Sequence, residues 1–205
     1  MADDLAGLLC PEEQARAERL LSERDRRLWT RSRGLLRALL SRYLHEEPSA
    51  LRFATGAHGK PELSDEADGP SSASQHDPSR QRKLSFNLSH SGQLALYAFT
   101  EAGPVGVDVE VARRSIDEIA LAARVFGPAE ARRLEELEPA IREGEFLRVW
   151  TRHEAQLKCH GTGIGAGTAN ASELWIAELD IGAGAAATVA LERPPREMRC
   201  WDWPG

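Results

Sequence analysis

The sequence predicts an α+β protein, and the order of its hydrophobic patterns is the main reason. Leucines recur at helical spacing between residues 11 and 45, after Pro11-Glu12-Glu13, which is typical of a helix start. From residue 84 the pattern changes to short β-rich runs separated by glycine. Helical patterns and further strand candidates then follow a second time. This order, helices then strands twice over, predicts an α+β chain of two similar halves.

The individual elements can be placed along the chain from the same patterns. The stretch 11–45 is long for one helix, so we expect a break near Ser22 or Arg31. Residues 64–80 are polar and rich in proline and serine, which predicts a mobile loop outside the core. The other predicted elements are strands at 51–53, 84–88, 94–100, 105–109, 174–176, 186–191 and 199–203, and helices at 116–124, 128–137 and 145–159.

The composition excludes several classes of protein. The 205 residues are 41% hydrophobic and 28% charged, as in globular domains, and no apolar run approaches the roughly 20 residues of a membrane helix. The acidic N-terminus and three scattered cysteines are typical of the cytoplasm. A net charge of −6 argues against nucleic-acid binding, although residues 16–42 carry nine arginines against three acids. Those arginines form surface ion pairs such as Glu23–Arg27, or bind phosphate.

Two pairs of charged residues are candidates for chemistry. Asp108 and Glu110 are two apart in a predicted strand, so their carboxylates point to one face. Such close like charges repel unless a cation joins them, and hard divalent ions prefer carboxylate oxygens; the alternative is a solvent-facing strand edge. Trp150, Glu154 and Lys158 share one face of a predicted helix. On that face, Glu154 can supply a metal ligand and Lys158 a phosphate contact. The alternative is a simple surface ion pair between the two.

Three further patterns are weaker. Ser89 and His90 end a predicted strand before glycine and could form an anion cradle, but adjacent strand residues point apart, which argues against a Ser-His hydrolase. The glycine-rich run 161–167 follows a helix rather than a strand, so a helix cap is favoured over a dinucleotide loop, and an oxidoreductase is a distant alternative. A zinc site at Cys159, His160 and His153 is disfavoured, because no second ligand cluster accompanies them.

Four segments in this order resemble the motif set of surfactin-type phosphopantetheinyl transferases. They are GKPEL at 59–63, FNLSHSG at 86–92, VGVDVE at 105–110 and FLRVWTRHEAQLKCHGTGIG at 146–165. The resemblance extends from the arginine-rich helix to the terminal Trp201-Asp202-Trp203. It implies two pseudo-symmetric α+β lobes, an N-terminal lobe at 1–100 and a C-terminal lobe at 101–205, with the active site in the cleft between them.

The resemblance also implies an activity. The protein would be a phosphopantetheinyl transferase of the holo-[acyl-carrier-protein] synthase type, with Mg²⁺ as cofactor and coenzyme A as co-substrate. It would move the phosphopantetheine arm to a serine of an acyl or peptidyl carrier protein and release 3′,5′-ADP. A monomer, with no nucleic-acid or membrane partner, is expected. The alternative is a catalytically inactive relative that binds coenzyme A or a carrier protein.

Roles for single residues follow from the same resemblance. Asp108, Glu110 and Glu154 would hold Mg²⁺, Lys158 would neutralise the pyrophosphate, and Glu154 or a metal-bound water would be the base. The catalytic set is thus Glu154, Lys158 and Asp108. The other expected contacts to coenzyme A are Ser89 and His90 at phosphate groups, Lys60 and Pro61 at the adenine, and Arg16, Arg19 or Arg27 at the 3′-phosphate.

The sequence departs from the family pattern in two features. His153 stands where the family usually has lysine before the metal-binding glutamate. A histidine is mostly neutral at pH 7, so we expect this cofactor contact to strengthen, and coenzyme A affinity to rise, below about pH 6.5. The family's first strand has no counterpart near the N-terminus, which implies a trimmed first lobe or a start site placed late.

Overall fold

The computed structural model describes residues 5–56, 59–64, 84–112, 116–162 and 173–203. Helices and small antiparallel sheets alternate along the chain, so the predicted α+β class is confirmed. The chain divides into two compact units. The first contains the described residues of Met1–Ala54, Pro61–Ser72 and Met198–Gly205, and the second those of Thr55–Lys60 and Ala73–Glu197. The pseudo-symmetric lobes at 1–100 and 101–205 stay a prediction.

The first unit is built on two helices, α1 (Pro11–Glu18) and α2 (Glu23–Leu44). The predicted break near Ser22 is confirmed, because the Ser22 hydroxyl caps α2 by accepting a hydrogen bond from the Asp25 amide at 3.3 Å. His45 ends α2 in the left-handed conformation, with φ of 58°. The leucines of α2 that face inward are buried, which satisfies the helical spacing seen in the sequence.

A buried ion-pair cluster joins α1 to α2. Arg37 is only 1% exposed, and it donates to the Glu13 carboxylate and to the carbonyl oxygens of Pro48 and Leu51. Arg33 donates to the other oxygen of Glu13. Burial alone raises the pKa of Glu13, but the hydrogen bonds from Arg37 and Arg33 outweigh burial and hold that pKa below its ordinary range. Part of the arginine surplus on α2 is therefore structural.

Two short strands, β1 (Phe53–Thr55) and β2 (Pro61–Leu63), pair with each other. The strand predicted at 51–53 therefore begins two residues later than expected. Ser64 donates its backbone N–H to the Arg52 carbonyl at 3.0 Å and extends this pairing. All but the first residue of the loop predicted at 64–80 lie outside the described residues.

The second unit contains two antiparallel sheets. A hairpin joins β3 (Ser85–Ser91) to β4 (Leu94–Thr100), and a second sheet has the order β5 (Val105–Val111), β7 (Ala185–Leu191), β6 (Trp175–Leu179). In this register Asp108 of β5 lies opposite Thr188 of β7. All five strands were predicted, although β3, β5 and β6 run two or three residues further than expected. The strand predicted at 199–203 is wrong, since these residues form no strand and Trp203 packs against Arg42 of α2.

Three helices belong to the second unit, α3 (Glu118–Val125), α4 (Pro128–Glu135) and α5 (Pro139–His160), and the first two pack on each other and on α5. The last begins six residues earlier than predicted. It packs across β5 and β7, and Gly106 allows the close approach, because a Cβ there would overlap the Ala155 oxygen and the Cys159 nitrogen. Within the described part of the chain, no helix has the length and apolarity needed to span a membrane.

Candidate active site

Strand β5 presents two carboxylates to α5. Gly106, Asp108 and Glu110 alternate with Val107 and Val109, and both valines are buried on the other face. The expected common face of Asp108 and Glu110 is confirmed. Asp108 is only 3% exposed, so the alternative of a solvent-facing strand edge is wrong for this residue. A buried carboxylate requires partners, and the surrounding elements provide them.

Lys158 on α5 is the cation beside Asp108. Its Nζ lies 2.7 Å from Asp108 Oδ1, 2.9 Å from Ser89 Oγ and 3.2 Å from the Val107 carbonyl oxygen. The alternative of a surface ion pair with Glu154 is therefore replaced by a bridge from helix to strand. Three elements, β3, β5 and α5, meet at this ammonium group.

Glu154 lies one turn before Lys158 and is half-buried. Burial raises its pKa above the ordinary range of a glutamate; Asp108 and Glu110 raise it further, and Lys158 opposes them. The three carboxylates are therefore close enough to interact electrostatically. The raised pKa makes Glu154 a stronger base than an ordinary glutamate.

Two carboxylate oxygens in this cluster, Asp108 Oδ2 and Glu154 Oε1, are buried and have no hydrogen-bond partner among the residues that the structure describes. Unpartnered buried oxygens are costly unless something else binds them, and hard divalent cations take such ligands. The donor set thus fits Mg²⁺. Among the described residues, however, no group of three His, Cys, Asp or Glu side chains lies close enough to hold a metal ion. With the side chains in this arrangement, Lys158 provides the positive charge.

Strand β3 faces the carboxylates with a row of small polar side chains. Ser89 Oγ donates to Asp108 Oδ1 at 2.7 Å, and Ser91 Oγ donates to Glu110 Oε2 at 2.6 Å. Asn87 accepts the backbone N–H of Val107 at 2.8 Å. Sequence reasoning missed Asn87 and Ser91. Their spacing of two residues within a predicted strand is the signal that indicates a shared face with Ser89.

Ser89 and His90 are not brought together by the structure. They lie inside β3 rather than at its end, so their side chains point to opposite faces. Ser89 is buried in the carboxylate cluster, whereas His90 is exposed. Of this pair, the geometry supports a place in the cluster for Ser89 alone.

Lys60 is bound to the backbone near the C-terminus of α5. Its Nζ donates to the carbonyl oxygens of Lys158 at 2.9 Å and Val105 at 3.1 Å. An ammonium group there donates to a carbonyl of the last helical turn and is stabilised by the negative end of the helix dipole. Pro61 is the first residue of β2, in the other unit. The predicted adenine contacts of both residues stay predictions.

The three arginines predicted to bind the 3′-phosphate lie in the first unit and contact residues of α1 or α2. They are Arg16, Arg19 and Arg27. The Arg16 guanidinium lies 5.5 Å from the centre of the Trp29 ring. Arg19 donates to the Ala15 carbonyl, and Arg27 pairs with Glu23 at 3.0 Å. The surface pair Glu23–Arg27 is therefore confirmed. The contacts of the three arginines to the 3′-phosphate stay predictions.

His153 packs against the aromatic ring of Phe126, with ring centres 5.3 Å apart in an edge-to-face arrangement. Burial lowers the pKa of His153 below its ordinary range, because the charged imidazolium is penalised in this environment. The expected rise in coenzyme A affinity on protonation should therefore begin at a lower pH than 6.5. It stays a prediction.

The glycine-rich run begins as a helix cap. Gly161 ends α5 in the left-handed conformation with φ of 68°, as predicted, and residues 163–167 of the run lie outside the described residues. Cys159 is buried, with Sγ 3.5 Å from the Pro104 carbonyl oxygen. Burial raises its pKa to about 11, which keeps the thiol neutral and makes it a poor metal ligand.

The known proteins and family models that resemble this chain are all 4′-phosphopantetheinyl transferases in the comparisons that follow. A family model described as "4'-phosphopantetheinyl transferase, N-terminal" matches residues 3–102, and one described as "4'-phosphopantetheinyl transferase superfamily" matches residues 104–202. The chain is 38% identical over 161 residues to the 4′-phosphopantetheinyl transferase HetI of Nostoc sp. (strain PCC 7120), covering 78% of this chain and 63% of HetI. It is 36% identical over 125 residues to AcpT of Salmonella typhimurium, covering 61% of this chain and 56% of AcpT.

A more distant relative is Sfp of Bacillus subtilis, also a 4′-phosphopantetheinyl transferase. Identity is 27% over 156 residues, which cover 76% of this chain and 62% of Sfp. The chain spans less than two thirds of the length of each of these relatives.

Proposed function

Because this chain belongs to the 4′-phosphopantetheinyl transferase superfamily, we propose that it moves the phosphopantetheine arm of coenzyme A to a serine of a carrier protein and releases 3′,5′-ADP. The observation that carries the proposal is the junction of β3, β5 and α5. There Lys158, Ser89 and Asp108 are joined by hydrogen bonds, and one buried oxygen each of Asp108 and Glu154 has no partner in the described part of the chain.

The reaction asks for positioning and charge neutralisation. A serine hydroxyl attacks the β-phosphorus of coenzyme A, a new P–O bond forms, and the bond to the departing 3′,5′-ADP breaks. Negative charge grows on the pyrophosphate oxygens as this bond breaks. Lys158 is the side chain suited to stabilise that charge, because its ammonium is already oriented by Ser89 and Asp108.

Asp108, Glu110 and Glu154 would hold Mg²⁺. When bound there, the ion supplies further neutralisation of the pyrophosphate. The base would be Glu154, whose pKa is raised above its ordinary range by burial and by neighbouring negative charges, or a water bound to the ion. Lys60 contributes indirectly, because it binds the carbonyl of Lys158 and so holds the last turn of α5.

Several finer features belong to the same proposal. The recipient is an acyl or peptidyl carrier protein, as for a holo-[acyl-carrier-protein] synthase, and the protein acts as a cytoplasmic monomer. Three free cysteines in the chain are consistent with a reducing compartment.

The test is direct transfer measured by mass spectrometry. Purified full chain is incubated with coenzyme A, Mg²⁺ and an apo carrier protein, and the phosphopantetheine mass increment on the carrier is followed over time. Lys158→Ala should lower kcat/KM at least about 100-fold, as expected for losing a charge-stabilising group. Glu136→Gln, at an exposed position on the same unit, is the matched control and should transfer normally.

The inactive alternative gives a different result in the same assay. A catalytically silent relative would bind coenzyme A in calorimetry, yet it would add no mass to any of several fatty-acid, polyketide or peptide-synthetase carriers. That outcome would reject the transferase. Transfer by the intact chain that survives Lys158→Ala without loss would instead reject the role of Lys158.

A further inference from the structure

Strands β3 and β5 lie side by side but belong to different sheets in the described part of the chain, β3 with β4 and β5 with β7. Side chains of β3 take the place of a backbone ladder between them. Asn87 accepts the Val107 N–H at 2.8 Å, and Ser91 accepts the Val111 N–H at 3.2 Å. The seam between the two strands is therefore set by side-chain hydrogen bonds, and it runs directly past the carboxylates of β5.

The hydrogen bonds of Ser91 determine which acceptor its hydroxyl proton binds. The residue is only 2% exposed, and its Oγ receives the backbone N–H of Val111. A hydroxyl has one proton to donate, and an amide N–H can only donate to it. The Ser91 proton therefore goes to Glu110 Oε2, 2.6 Å away, in a short charge-assisted hydrogen bond.

Ser89 relates to Asp108 in the same way. It accepts from the Lys158 ammonium and donates to Asp108 Oδ1, while the buried Asp108 Oδ2 has no partner within the described ranges. Each serine thus engages one oxygen of one carboxylate. The two serines are two residues apart on β3, as the two carboxylates are on β5.

We propose that Ser91 is a positioning residue for Glu110: it holds Oε2 on the protein side, so that Glu110 offers a single oxygen to the divalent cation. The inference rests on the proposed function, which supplies the cation, but it concerns a residue to which that function assigns no role. Glu110 is less buried than Asp108, so its side chain has more freedom to lose. A fixed hydrogen bond from Ser91 removes this freedom before the cation arrives.

The expected size of the effect follows from other metal sites. Removing a residue that hydrogen-bonds a metal ligand typically lowers metal affinity about 10- to 100-fold. Ser91→Ala should therefore weaken binding of the divalent ion by about 10-fold or more. At saturating Mg²⁺ the reaction should proceed almost normally, because Ser91 bonds to Glu110 and to the Val111 backbone, whereas Lys158 bonds to Ser89 and Asp108.

The experiment measures Mn²⁺ binding to the full chain by electron paramagnetic resonance of the free ion, at saturating coenzyme A. Ser91→Ala should raise the Kd for Mn²⁺ about 10-fold or more. Ser91→Cys, which preserves volume but donates weakly, should show the same loss if the alanine variant does not fold. Ser85→Ala, on the same strand, is the matched control and should bind as wild type. Kinetically, the apparent KM for Mg²⁺ should rise with kcat changed less than about threefold.

The outcomes separate this inference from the proposed function. Unchanged Mn²⁺ binding in the Ser91 variants, or an equal loss in Ser85→Ala, overturns the role of Ser91 while transfer by the wild type still stands. A wild type that transfers the arm without binding Mn²⁺ also overturns it. If Mn²⁺ binding depends on Ser91 but no carrier receives the arm, the inference holds and the proposed function fails.

Discussion

Replacing Gly106 with alanine tests how the active site is assembled. Gly106 lies on the face of β5 that α5 covers, two residues before Asp108. A Cβ at this position would overlap two backbone atoms of α5, the Ala155 oxygen and the Cys159 nitrogen. Backbone atoms of a packed helix cannot turn aside as a long side chain can. We therefore expect Gly106→Ala to push α5 away from β5.

The cost can be estimated from the packing. Overfilling a tightly packed core costs about 1–3 kcal/mol, and an overlap with backbone should lie at the upper end. Alanine restricts the unfolded chain, which returns about 0.4–1 kcal/mol. The net loss in the free energy of unfolding should be about 2 kcal/mol. The same displacement separates Lys158 from Asp108, now 2.7 Å apart, and misplacement by about 1 Å can lower turnover about 100-fold.

The assay combines urea denaturation, followed by circular dichroism, with the transfer rate to an apo carrier protein. Gly144→Ala is the matched control, because Gly144 lies in the same helix and an added methyl group there would meet nothing within 4 Å. The higher helix propensity of alanine should increase stability by up to about 1 kcal/mol, with normal transfer. The two alanine substitutions should therefore shift stability in opposite directions. A Gly106→Ala variant as stable and as active as wild type would refute the close packing of α5 on β5.

Three other predictions concern charge, thiols and the end of α5. Glu13→Gln should lower the free energy of unfolding by about 3–5 kcal/mol at pH 7, since it leaves Arg37 buried without its anion. Because the pKa of Glu13 is lowered in the folded protein, the stabilisation by its carboxylate is present above about pH 4.3 and is lost as the pH falls below that value. In urea denaturation, the difference in the free energy of unfolding between wild type and Glu13→Gln should therefore shrink on acidification. A difference that stays constant would contradict the pairing. In the native protein iodoacetamide should label exposed Cys200 but not buried Cys159, whose pKa of about 11 disfavours the thiolate, as peptide mass mapping can check; equal labelling would contradict its burial. Lys60→Met should lower the free energy of unfolding by about 1–3 kcal/mol, because it removes a charged donor that two backbone carbonyls share, and an unchanged urea midpoint would argue against this role.

Much of the site could be predicted from spacing alone. The i, i+2 spacing of Asp108 and Glu110 on a strand and the i, i+4 spacing of Glu154 and Lys158 on a helix follow from local geometry. These rules determine which side chains share a face, whatever the rest of the chain does. They do not determine which face is buried, and for Asp108 the exposed alternative was open until β3 and α5 were seen to cover it.

The errors have a common cause. The strand expected at 199–203 has strand-like residues, yet a strand requires a partner, and Trp203 instead packs on Arg42. Arg33 and Arg37 have the spacing of a charged helix surface, but Glu13, at least 20 positions earlier, pairs with both, and Arg37 is buried. Partners distant in sequence leave no local signal.

The sequence by itself determined the family, the α+β order of elements and the carboxylates and lysine of the candidate site, because ordered motifs and local periodicity carry that information. Only the tertiary structure decided that Lys158 pairs with Asp108 rather than with Glu154, that Ser89 faces the cluster and His90 does not, and that Ser91 donates to Glu110. Each of these depends on contacts between β3, β5 and α5, and the bond from Lys158 to Ser89 spans 69 positions of the chain. Such contacts are set by packing the whole chain, which no local spacing can report.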